Sequence, residues 1–161
     1  MTVAVCRTAA VLARYVRAVI NSASEFVALR TSEDPAEYRR AAHEEASFEV
    51  WMEVLDAHPD MRRWVAHNKT VPVQILELLA HDADPDVRAV VAAKRKLPLE
   101  LAELLSRDID DGVRLRVARN PKVHGGVLQV LAEDECWMVR DAARERLASL
   151  GFVGRGDVAD A

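Results

Sequence analysis

Aromatic side chains are scarce in this chain of 161 residues, with Phe, Trp and Tyr together making up only 5%. That excludes a core built mainly on ring packing and leaves the interior to Ala, Leu and Val. Cysteine is rarer still. Cys6 and Cys136 stand far apart and match no CxxC spacing, which argues against a disulfide framework or a thiolate metal site and makes a reducing cytoplasm the expected compartment. Six glycines and six prolines are too few for a low-complexity chain. Long apolar runs are missing too. The first twenty residues, MTVAVCRTAAVLARYVRAVI, come nearest, but Arg7, Arg14 and Arg17 interrupt them. A membrane span needs about 20 uninterrupted apolar residues, and no convincing signal-peptide cleavage site follows. Residues 1–20 are therefore expected to be an N-terminal extension: an amphipathic helix, a loosely attached segment, or residues ahead of a true start near Val19.

Strong charge imbalance is also absent. A net charge of −4 gives no global reason to expect nucleic acid or an anionic membrane as the main partner. Catalytic signatures are missing as well. There is no Gly-rich phosphate loop and no GxSxG, and His43, His58, His67, His81 and His124 fall at no metal-ligand spacing. The expectation is a non-enzymatic protein with no cofactor, no metal and no evident small-molecule substrate.

What the chain does have is regularity. Arg62, Arg88, Arg114 and Arg140 are separated by 26 residues each, and Asp56, Asp82, Asp108 and Asp134 keep the same interval six positions earlier. A fixed period over four copies predicts a stacked α-solenoid of short helix pairs, in which each unit buries its apolar face against its neighbours. Three segments align, 56–81, 82–107 and 108–133, and a shorter fourth covers 134–150. Apolar columns run through them: Met61/Val87/Val113/Val139 and Val65/Val91/Val117/Ala143 on a first helix, and Ile75/Leu101/Val127, Leu78/Leu104/Val130 and Leu79/Leu105/Leu131 on a second. Ala66, Ala92 and Ala118 are small where helices must approach closely. Pro72 and Pro98 mark the starts of second helices, whereas His124-Gly125-Gly126 weakens the third. Residues 21–55 are expected to be N-terminal capping helices. Ser22 and Ser24 are candidate caps, Asp34-Pro35 a clear helix start, and Phe48, Trp51, Met52 and Leu55 an apolar stripe. Gly151 ends the last helix, and residues 151–161 are expected to be a flexible tail.

The string Asp-Pro-Asp-Val-Arg-x-x-Val-Ala followed by Pro-x-x-x-Leu-x-x-Leu, best kept in DPDVRAVVAAKRKLPLELAELL and DDGVRLRVARNPKVHGGVLQVL, resembles the variant leucine-rich repeat and, more broadly, HEAT-like helical repeats. The resemblance covers about 56–150. It implies a right-handed superhelix of paired short helices used mainly for protein binding. An iron–sulfur domain found in some such proteins is not carried over, because the cysteine cluster it needs is absent.

Two columns compete for a functional role. The four arginines could form a ladder facing an acidic partner or phosphates, but the constant offset of the aspartates favours a repeated structural clamp, in which Arg62, Arg88, Arg114 and Arg140 each tie down an acidic turn, at Asp56, Asp82, Asp108 or Asp134, of their own or the adjacent copy. The loops between paired helices are the better binding candidates. Asn68 and Lys69, then Lys94, Arg95 and Lys96, then Arg119, Asn120 and Lys122 form an expected basic edge, with Trp64 as a possible exposed contact. Such an edge suits a protein partner with an acidic surface or, as the alternative, the backbone of a nucleic acid.

Overall fold

A computed structural model describes residues 19–151, so the expectations for 1–18 and for the tail over 152–161 lie outside the described residues. The chain forms two compact units that meet in sequence between Pro72 and Val73. It is mostly helical, with one minimal sheet as the departure from an all-α fold. In that sheet β1 (Val19–Ile20) runs parallel to β2 (Glu45–Ala46), pairing Val19 with Glu45 and Ile20 with Ala46. No helix among the described residues is long and apolar enough to cross a membrane.

In the first unit the expected start signals fix the helices. Ser22 accepts the Glu25 amide to open α1 (Ala23–Thr31), and Asp34 accepts the Ala36 amide ahead of Pro35 to open α2 (Pro35–His43). Ser47 caps α3 (Phe48–Ala57). A 3₁₀ turn over Pro59–Met61 then leads into α4 (Arg62–His67). Ser24 is not a cap; it is the second residue of α1 and its hydroxyl pairs with that of Ser22. Trp51 is fully buried against Phe26, ring edge to ring face, with centroids 5.2 Å apart. Ile20, Leu29, Val54 and Val65 of the same unit are buried too. The stripe expected on α3 is therefore partly wrong. Val54 is buried, whereas Phe48 and Met52 are exposed.

The second unit alternates short and longer helices: α5 (Val73–Leu79), α6 (Pro85–Ala92), α7 (Leu99–Leu105), α8 (Asp111–Arg119), α9 (Gly125–Leu131) and α10 (Trp137–Ser149). Helix α8 packs along α6 on one side and α10 on the other. Val87, Val113 and Val139 line those contacts with Val91, Val117 and Ala143, all buried, and Ala92 and Ala118 have no exposed surface. Glycine at position 151, with φ of 78°, ends α10 in the left-handed region.

The seven-residue helices bury a different face from the one expected. Ile75, Leu76 and Leu79 are inside, as are Leu101, Ala102 and Leu105, and Val127, Leu128 and Leu131. Leu78, Leu104 and Val130 stand outside with 49%, 39% and 54% of their surface exposed, so that column is not core. On a helix, residues i and i+4 lie close to one line, and i+1 and i+3 flank that line on opposite sides. Packing against the neighbour, rather than periodicity, decides between them. The glycines do not prevent α9 from forming. His124 accepts the Gly126 amide at 3.1 Å through Nδ1 and opens the helix, which is as long as α5 and α7.

Candidate functional site

The arginine and aspartate columns are tied into the fold by a bonding pattern that recurs. Nη1 of Arg88 donates to the carbonyls of Asp82 (2.8 Å) and Ala83 (3.2 Å), while Nε and Nη2 grip the carboxylate of Asp108 at 2.7 and 2.8 Å. Arg114 repeats every contact, on the carbonyls of Asp108 and Ile109 and on the carboxylate of Asp134 at 2.8 and 3.0 Å. Each aspartate also accepts a backbone amide two residues on, from Asp84, Asp110 and Cys136 in turn, and so shapes its own turn. An arginine that reaches back six residues and forward twenty defines a 26-residue interval by its bonds. Nearly buried, these bidentate pairs are strong ones. The Arg114 bonds hold the Asp134 carboxyl below its ordinary range. At Asp108 burial pushes upward, yet the Arg88 and Asp110 hydrogen bonds prevail and the carboxyl also lies low. Arg62 donates from Nε to the Leu55 carbonyl, and Asp56 is exposed.

Two of the expected binding residues are structural instead. Asn68 and Asn120 are buried. The Asn68 amide nitrogen donates to the carbonyls of Ala41 and Glu44, both at 2.9 Å, and its oxygen accepts the Thr70 amide. Asn120 does the same to Ala92 and Lys94, both at 2.8 Å, and accepts the Lys122 amide. Each asparagine hooks the orphan carbonyls at the end of a preceding helix, α2 or α6. The contact made by Asn68 shows that α2, expected only as a cap, is joined to α4 as α6 is joined to α8. Lys94 occupies the corresponding place and is also drawn inward; burial lowers its ammonium to a pKa of about 8.

Trp64 is likewise not an open contact. The Arg30 guanidinium lies 3.3 Å from its ring centroid and 3.8 Å from that of Tyr38, sandwiched between the two rings. His67 packs on the same indole at 5.3 Å. The buried Nε of Arg30 has no hydrogen-bond partner among the described residues, and desolvation lowers the pKa of the guanidinium. Sequence gave no signal for this stack, because residues 30, 38 and 64 share no spacing.

The expected basic edge therefore shrinks. In the first unit Lys69 remains exposed and donates to Nε2 of His43 at 2.8 Å, while Nδ1 of that ring bonds the Arg39 carbonyl. In the second unit Arg95, Lys96, Arg119 and Lys122 are exposed. Arg119 also borders a groove of about 440 Å³ along α10, lined by Trp137, Met138, Asp141, Ala142, Glu145, Arg146 and Ser149. Trp137 is 64% and Met138 41% exposed. Arg146 is held at the groove wall by the Pro121 carbonyl (3.1 Å), and its buried Nε has no hydrogen-bond partner among the described residues. The groove thus combines two large apolar side chains with charges of both signs. Such a mixture suits a polypeptide surface better than a uniform polyanion. No family model, curated protein or solved structure matches this chain.

Proposed function

We propose that this protein is a non-catalytic helical-repeat module of the variant leucine-rich or HEAT-like kind, a right-handed α-solenoid with a 26-residue repeat that binds another protein. Support for the repeat comes from the matching bonds of Arg88 and Arg114. The chief support for protein binding is Trp137, two-thirds exposed on a structured helix beside Met138 in a groove edged by Arg119 and Arg146. Exposed tryptophan and arginine are the side chains that most often dominate protein interfaces. A photo-cross-linking residue at position 138, introduced into the protein in its native cell, tests this. One stoichiometric protein should be captured there and not from a control position at Glu53. Recovery of no such protein at low salt, or of the same proteins from both positions, would refute the reading. The nucleic-acid alternative now rests on Arg95, Lys96, Arg119 and Lys122 alone. It requires salt-dependent binding to duplex DNA or RNA, and undetectable affinity at about 50 mM salt rules it out.

A further inference from the structure

Among the described residues the ladder of arginines ends on an open fork. Arg140 makes the same inward contacts as Arg88 and Arg114, donating from Nη1 to the carbonyls of Asp134 at 2.7 Å and Glu135 at 3.4 Å. Its guanidinium is therefore fixed in the orientation of the other two. In those two, Nε and Nη2 close on a carboxylate. In Arg140 neither atom has a hydrogen-bond partner among the described residues.

We propose that the outer edge of Arg140 is a carboxylate-docking site, which takes an aspartate standing in the turn ahead of a helix on the partner protein. This deepens the protein-binding function proposed above and rests on it. The chemistry of the occupant follows from two filled examples within the same molecule. Asp108 and Asp134 each accept two guanidinium bonds, and each folds a turn by accepting the amide two residues on. The fork is already oriented, so little side-chain entropy is lost when a carboxylate arrives. Trp137 lies three residues earlier on α10, on the same helix face, and offers an exposed ring for the partner's apolar contacts. Asp134, Glu135 and Asp141 surround the site in sequence. Their charge disfavours a phosphate or a nucleic-acid backbone, whereas a single carboxylate held in two directional bonds matches the fork.

A helix-stapled peptide with the sequence of residues 106–120 supplies a suitable aspartate and can be titrated calorimetrically against the full chain. The peptide should bind, and Asp108→Asn within it should weaken binding at least tenfold. Arg140→Gln in the protein should do the same. So should Arg140→Lys, which keeps the charge and loses the fork. Melting curves of both variants establish that they are folded. Absence of binding, equal binding of the Asp and Asn peptides, or indifference to Arg140→Gln would overturn the proposal. Asp160 stands twenty residues beyond Arg140 in the sequence, the offset of the two filled forks. Binding that emerges only in an Asp160→Asn chain would therefore also overturn it, by assigning the fork to the chain's own carboxylate. Persistence of the position-138 cross-link in Arg140→Gln would show the partner docking without this fork, which separates failure here from failure of the function itself.

Discussion

At the residue scale, the loop column 68/94/120 shows how one position can be misjudged when only its polarity is visible. Asn and Lys look like a solvated, basic edge; in the fold the two asparagines are internal hydrogen-bond donors to helix ends. The direction of a side chain depends on the neighbouring layer, and no local spacing encodes it. The same column yields a prediction at Lys94, whose burial lowers its pKa from an ordinary 10.5 to about 8. Below about pH 8 the amine is charged in both states, and the folded protein carries the full penalty of burying that charge. Between about 8 and 10.5 the folded state has released its proton and the unfolded state has not, so stability rises with pH across that window. Lys94→Asn removes the penalty and places an amide where Asn68 and Asn120 already succeed. It should raise Tm by about 3 °C at pH 7, and its advantage should shrink as pH climbs from 8 to 10.5. Scanning calorimetry of both proteins over that range checks it; a destabilised variant, or a constant gap, would refute it.

Elements were more legible than their faces. Ser22, Asp34 and Ser47 each open a helix by accepting an amide, and Pro72 and Pro98 stand immediately before α5 and α7, because caps and prolines act through bonds made within a few residues. Leu78, Leu104 and Val130 were not legible, since a two-turn helix rich in leucine carries more than one plausible stripe. Helix α9 tests the local rules directly. It begins with two glycines and relies on an imidazole nitrogen for its cap. Aspartate at that position would accept the same amide and add a negative charge at the helix start. His124→Asp should therefore stabilise the protein by about 0.5–1 kcal/mol, read as a higher urea midpoint at pH 7 with unchanged slope. A midpoint that stays level or falls would show that α9 is held by Val127, Leu128 and Leu131 alone.

At the scale of the whole chain, a 26-residue interval seen as spacing in the sequence becomes an interval of bonds at Arg88 and Arg114, whose guanidinium groups each join the turn before to the turn after. Identical residues in this pattern carry different energetic weight, and that difference is measurable. Removing Arg114 strands the Asp134 carboxylate, which is 8% exposed, and takes away the bonds that hold its pKa below the ordinary range. Breaking a pair so nearly buried leaves a charge with little water and only the Cys136 amide as a hydrogen-bond donor, and Arg114→Gln should cost about 3 kcal/mol. Among the described residues Arg140 has no carboxylate to strand, only the two carbonyls it donates to. Arg140→Gln should cost no more than about 1 kcal/mol. Urea denaturation of the two variants side by side decides the matter. A near-equal loss would mean that the Asp134 pair contributes little beyond the carbonyl bonds, and that the 26-residue spacing owes its stability to apolar columns such as Val87, Val113 and Val139 rather than to the charged ladder.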